Sequence, residues 1–120
     1  MGIRKQKRYF CPIDVTLSVL SGKWKPLILF HLKNRPRRFS VLQAMIPEIS
    51  HKVLTQQLRA LELNGIIRRE QRDDEMTVAY ALTEFGLTLR TSLAALASWG
   101  QKHHQELGVE LDWRPSVQGN

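Results

Sequence analysis

Short helical segments, a two-strand hairpin and a long closing helix follow one another in this 120-residue chain, an order that predicts a mainly α fold with a small β-hairpin wing. Three observations carry that prediction. Stop signals at Gly22, Pro47 and Gly65 divide the first half into short, apolar-faced helices. Two alternating segments, Ile66–Gln71 and Thr77–Leu82, flank the charged turn Arg72-Asp73-Asp74-Glu75-Met76. Beyond them Phe85, Leu89, Leu93, Leu96 and Trp99 recur at helical spacing. At 42% hydrophobic residues the chain can build one core, and its length suits one domain. A catalytic barrel typically needs roughly twice as many residues.

Residues 1–9 hold Arg4, Lys5, Lys7 and Arg8 with almost no apolar content, and read either as a solvated tail or as an arm that contacts a polyanion. Residues 10–106 hold the folded domain. Pro12 suits a first helical position, and Val15, Leu17, Val19 and Leu20 give a short, mostly apolar helix that Gly22 ends. Trp24 and Pro26 start a second segment, in which Leu27, Ile28, Leu29, Phe30 and Leu32 form a nearly unbroken apolar run. Such a run is buried. Pro26 in a first turn and Lys33-Asn34 in a last one favour helix over strand.

A third helix is expected to start at Ser40, where Ser40-Val41-Leu42-Gln43 matches a capping box. Phe39, Leu42, Met45 and Ile46 supply its apolar face, and Pro47 stops it. Ser50 caps a fourth helix running to Asn64, with Gly65 as its stop. After the hairpin, Thr83 caps a last, long helix through about Glu106. Residues 107–120 read as an irregular tail in which only Trp113 hints at docking. Three helices closing on a two-stranded hairpin, the third of them most exposed, describe a winged helix-turn-helix.

The helix over residues 50–64 is the most informative segment. At about 100° per residue, Leu54, Leu58 and Leu61 fall in a narrow arc that must face the core. Lys52, Gln56 and Arg59 lie directly opposite, flanked by His51 and Thr55. These side-chain types bind phosphates or donate to base edges in a major groove. An ordinary solvated helix face would have the same polarity, but not the same company: a capped helix-turn-helix, a basic hairpin and a basic chain. The hairpin adds Arg68, Arg69 and Arg72, suited to phosphates or the minor groove, and Arg37 and Arg38 before the third helix are further phosphate candidates. The three acids Asp73, Asp74 and Glu75 at the turn would repel a phosphate backbone, so contacts are expected on the strand arginines and Arg72 instead.

Charge supports the same direction. Lys and Arg number 18 against 11 acids, a formal net of +7. Residues 1–72 carry 15 of the cations and only four acids, Asp14, Glu48, Glu62 and Glu70, whereas residues 73–120 are net negative. A basic excess fits nucleic acid or an acidic membrane surface. No run of about 18 apolar residues occurs, so no spanning helix is expected, and no membrane partner. The basic N-terminus lacks a following apolar stretch, which argues against a signal peptide, and Gln6 stands where a myristoylation signal needs Ser or Thr. A single cysteine cannot close an internal disulfide. The expected location is the cytoplasm.

Several motifs together resemble a known family. Cys11-Pro12, then Gly22-Lys23-Trp24-Lys25-Pro26-Leu27-Ile28-Leu29, Arg38-Phe39, Ile49-Ser50 through Leu54-Thr55-Gln56-Gln57-Leu58-Arg59, and Leu61-Glu62 to Asn64-Gly65 resemble HxlR-type bacterial transcriptional regulators. Tyr80-Ala81-Leu82-Thr83-Glu84-Phe85-Gly86 and Trp99-Gly100 complete the resemblance, which covers roughly residues 10–103. It implies a winged-helix homodimer on a pseudo-palindromic DNA operator, repressing or activating nearby genes. The helix over 50–64 would be the recognition helix, bringing Ser50, His51, Lys52, Thr55, Gln56 and Arg59 to DNA. The first and last helices would form the dimer interface, with Leu17, Leu89, Leu93, Leu96 and Trp99. Exposed Leu93, Leu96 and Trp99 would otherwise make a sticky patch. Some such regulators sense oxidants or electrophiles through a cysteine that matches Cys11, which makes an oxidant or small-molecule inducer a candidate partner. Burial of Cys11 against Trp24 is the competing reading.

Other sites read as structural. Adjacent His103 and His104 project to different helix faces, and no further ligands complete a metal site with Glu106. His31, in the apolar second helix, reads as a hydrogen-bonded core residue. No Gly-rich phosphate loop, nucleophile elbow or catalytic carboxylate pair is present, so neither enzyme chemistry nor a cofactor is expected. The alternative function is a winged-helix protein-interaction adaptor without operator specificity, which would expose apolar anchors where Lys52, Gln56 and Arg59 stand.

Overall fold

A computed structural model describes residues 7–71 and 77–113. The chain runs through helices α1 (Pro12–Val19) and α2 (Trp24–Leu32), strand β1 (Arg37–Arg38), and helices α3 (Phe39–Met45) and α4 (His51–Leu63). Strands β2 (Ile67–Gln71) and β3 (Val78–Leu82) follow, then α5 (Glu84–Leu87) and α6 (Arg90–His103). The strands form one antiparallel sheet in the order β1-β3-β2. Helices α2, α3 and α4 pack against it, and the core is built from Ile28, Leu29 and Leu32 of α2, Leu42 of α3, Leu54, Leu58 and Leu61 of α4, and Ile67 and Leu82 of the sheet. The mainly α fold with a hairpin wing is the one expected.

Four expectations need correction. The sheet has a third strand: Arg37 pairs with Tyr80 and Arg38 with Ala79. Two residues are too few to show an alternating pattern, so β1 left no trace in the sequence. The capping box does not form either. Helix α3 begins at Phe39 with Arg38 as its cap residue and no side-chain cap bond. Gln43 instead reaches across the turn, its Nε2 donating to the Ile49 carbonyl at 3.3 Å. That turn passes through Glu48 at φ 73°, a left-handed conformation that costs a residue with a Cβ about 1 kcal/mol.

The single long helix expected after Thr83 is broken into α5 and α6. Thr83 does cap the first piece, its Oγ1 accepting from the Gly86 N–H at 2.9 Å. The next turn tightens, with the Thr88 and Leu89 N–H groups donating to the carbonyls of Phe85 and Gly86 three residues back. Gly86 lies so close to the strand that a Cβ there would stand 2.1 Å from the Ile66 carbonyl oxygen. The close packing explains the break, and it leaves Phe85 exposed where the helical spacing had placed it on the apolar face.

His31 is the buried core residue expected, but its Nδ1 finds no hydrogen-bond partner among the described residues, so the bond expected is not made at that nitrogen. Burial chiefly, and then the positive charges of Arg37 and Lys33, push its pKa from 6.5 down to about 4. The tail reading at Trp113 holds: the ring packs 5.6 Å from Phe30 and 6.5 Å from His31.

Gly86→Ala should destabilise the fold by about 2 kcal/mol or more, read as a lowered midpoint in chemical denaturation, because the added methyl meets backbone that cannot swing away. The histidine makes stability pH-dependent. Neutral in the folded chain down to about pH 4 and ordinary when unfolded, it contributes stability that is complete above pH 6.5 and lost as pH falls toward 4. The loss should reach about 3 kcal/mol. Denaturation at pH 7 and pH 4.5 should show it, and His31→Phe should flatten the difference.

Candidate nucleic-acid interface

Helix α4 starts at a built cap. Ser50 has extended backbone and its Oγ accepts from the Val53 N–H at 3.1 Å, satisfying one of the donors a helix start leaves open. No acid occupies the first turn, so the positive end of the helix dipole is not offset by its own side chains. Burial of Leu54, Leu58 and Leu61 then fixes the rotation of the helix about its axis. The result brings Lys52, Gln56 and Arg59 together, all exposed, on the stripe opposite the leucines.

The flanking residues differ in what they have left to offer. His51 is exposed, with its ring packed 4.6 Å from that of Phe39 on α3. Thr55 is half-buried and its Oγ1 donates to the His51 carbonyl at 2.8 Å, so its proton is used inside the helix. Ser50 likewise serves the helix first. Nothing in the sequence marks Phe39 as the support of His51. A helical wheel treats one helix at a time and cannot show a contact between two.

On the sheet, residues paired across strands share a face. Arg38, Ala79 and Glu70 form one row, and Arg68 stands beside them opposite Ala81. Arg68 is paired with Glu70, its neighbour two residues on, so part of its charge is already met. Spacing of two along a strand would have revealed that partner. Arg69 points to the other face, opposite Tyr80, and is exposed. Arg72 and the acidic turn lie outside the described residues, as do Arg4 and Lys5 of the N-terminal arm.

Arg37 is not a phosphate contact. It is buried, its Nε donates to the His31 carbonyl at 3.0 Å, and it ties β1 to α2. Burial, and after it the charge of Arg35, lowers its pKa from the usual arginine value.

The apolar residues expected at a dimer interface divide into two sets. Leu93 is only 3% exposed and belongs to the core of its own chain, and Leu89 is half-buried against that core. Leu17, Leu96 and Trp99 are each more than half exposed. Helix α1 buries none of its residues, leaving Ile13 and Val15 exposed as well. Cys11 caps α1 and is exposed, so it is not buried against Trp24. His103 pairs with Glu106, and His104 Nδ1 lies 2.9 Å from the Val109 carbonyl oxygen; among the described residues no group of ligands could hold a metal. No helix among them is long and apolar enough to cross a membrane.

Comparison with known proteins agrees with this geometry. The family model for the HxlR-like helix-turn-helix matches residues 19–107. The HTH-type transcriptional regulator YdeP of Bacillus subtilis is 39% identical over 98 residues, covering 81% of this chain and 77% of YdeP. YkvN, a second such regulator from that organism, is 41% identical over 108 residues, 89% of this chain and 92% of its own. Among solved structures, the redox regulator HypR in its reduced form superposes with a TM-score of 0.75 at 36% identity, covering 82% of this chain and 98% of HypR. Its oxidised form gives 0.71 at 38%, covering 77% and 96%. The diamide-treated regulator YodB of B. subtilis gives 0.61 at 34%, covering 79% of this chain and 96% of YodB.

Proposed function

The chain belongs to the HxlR-like helix-turn-helix family and is a DNA-binding transcriptional regulator, and from that premise we propose that it acts as a homodimer on a pseudo-palindromic operator. The observation that carries the proposal is the exposed Lys52, Gln56 and Arg59 stripe, opposite a fully buried leucine stripe, on a helix whose start is capped. Gln56 and Arg59 are suited to base edges, Lys52 to phosphate, and His51 to either. On the wing, Arg69 is the phosphate contact of first rank; Arg38 and Arg68 lie on the opposite face of the sheet, Arg68 reduced by Glu70, and Arg72 remains a candidate from its place in the sequence. The stripe offers no apolar anchor, which argues against an adaptor surface.

Dimerisation is supported by α1, none of whose residues is buried, and by the exposed apolar residues Leu17 of α1 and Leu96 and Trp99 of α6. A two-fold axis through these helices would set two copies of α4 about 34 Å apart, one turn of duplex. Titration against the DNA upstream of the gene, with shuffled DNA of equal length as control, should show a preference of about a thousandfold or more at physiological salt. Arg59→Ala should erode that preference, whereas Arg69→Ala should weaken binding to both DNAs alike and flatten the salt dependence. Equal, weak, salt-sensitive binding to every DNA offered, genomic fragments included, would favour the adaptor.

Redox response is the finer part of the proposal. It is supported by the exposed thiol of Cys11, the single cysteine of the chain, and by the likeness to HypR and YodB. Diamide should change operator affinity of the native protein and leave Cys11→Ser unaffected. A treated native protein that binds as before would remove redox control from the proposal.

A further inference from the structure

Between the end of α2 and the start of α6 lies a cleft of about 380 Å³, lined by Lys33, Asn34, Leu87, Arg90, Thr91 and Ala94. That volume is in the range of small-ligand sites, roughly 300–1,000 Å³. Two cations line the cleft and no carboxylate does. Both cations are held by uncharged partners. Arg90 Nη2 donates to Asn34 Oδ1 at 3.0 Å, and Lys33 Nζ stands 4.7 Å from the centre of the Phe30 ring. Neither contact neutralises a charge. Next to the cleft, burial first and then the charges of Arg37 and Lys33 oppose protonation of His31.

DNA does not account for these cations. Strand β3 runs from the hairpin turn toward α5, and β1 runs antiparallel to it. Residues that precede β1 and residues that follow β3 therefore share the end of the sheet opposite the turn. Lys33 and Asn34 precede β1; Leu87 and Arg90 follow β3. These residues therefore lie away from the tip of the wing.

We propose that the cleft binds a small organic anion, a carboxylate whose charged end lies between Lys33 and Arg90 and whose apolar body rests on Leu87 and Ala94. The Thr91 hydroxyl and Asn34 amide supply further donors at the rim. The position suits an effector. Helix α2 leads through β1 into the helix-turn-helix, and α6 carries the exposed Leu96 and Trp99 further along, so an occupant touches the end of one and the start of the other. The effector role rests on the DNA-binding reading; the binding itself does not.

The test titrates benzoate into ¹⁵N-labelled protein without DNA, with inorganic phosphate and chloride compared at equal ionic strength. Benzoate should give saturable shifts confined to residues 33–34 and 87–94. It should also raise the titration midpoint of the His31 imidazole, since an anion offsets the local positive field. The double variant Lys33→Gln, Arg90→Gln, with its amide spectrum otherwise intact, should bind at least tenfold more weakly. Phosphate binding as tightly as benzoate, unsaturable shifts spread over all basic surfaces, or unchanged affinity in the double variant would each overturn the proposal. Because DNA is absent, a failure of operator binding in its own titration leaves this result standing, and the two failures are told apart.

Discussion

One buried stripe sets the direction of this molecule's chemistry. Leu54, Leu58 and Leu61 of α4 are each at most 1% exposed, and together they lock the helix against Ile28, Leu29 and Leu32 of α2. A buried leucine contributes roughly 1.5–3 kcal/mol relative to an exposed one. Rotating α4 by one residue about its axis would forfeit much of that and drive charged or amide groups into a space with no partners for them. The angle at which Lys52, Gln56 and Arg59 meet the surroundings is thus decided by the core, before any nucleic acid arrives. Preorganisation of this kind lowers the ordering cost of binding, because the backbone that presents the side chains is already fixed.

The wing and the last helix are coupled to that stripe at one joint. Gly65 reverses the chain after α4 at φ 74°, which a residue with a Cβ would resist, and the Ile66 N–H returns to the Leu61 carbonyl. The Thr83 N–H donates to the Ile66 carbonyl, its hydroxyl donates to the Gly65 carbonyl at 2.6 Å, and the same oxygen caps α5. The end of α4, the start of β2, the end of β3 and the start of α5 therefore meet within a few residues. A change in how α6 lies has a short mechanical route to α4, through groups with little freedom to yield.

What the sequence made legible follows the periodicities. Helix α4 and the hairpin were readable because a stripe of period 3.6 and an alternation of period 2 each extend over several residues. The two-residue β1 has no period, and its Arg37 looked like a surface cation when it is a buried tie to the His31 carbonyl. The break between α5 and α6 was hidden because Phe85, Leu89 and Leu93 keep helical spacing across it; what ends α5 is a steric limit between Gly86 and Ile66, distant in sequence. The division of the interface candidates had the same cause. Spacing shows that Leu93 and Leu96 lie on one apolar helix, but only the packing shows that Leu93 is consumed by its own core while Leu96 is not.

The acids of the wing bear on affinity rather than on specificity. Attraction to phosphate is the same for every sequence, so each cation added to the wing strengthens binding to the operator and to all competing DNA together. Glu70 meets part of the charge of Arg68, and the turn adds Asp73, Asp74 and Glu75 to a hairpin that would otherwise be strongly basic. On the DNA-binding reading these acids hold down the sequence-independent share. A larger fraction of the binding free energy then comes from groups suited to base edges, such as Gln56 and Arg59. For a regulator that must find one site among a great excess of others, the ratio of the two affinities decides occupancy; the charge of the wing scales both affinities together and leaves that ratio to the groups that reach base edges.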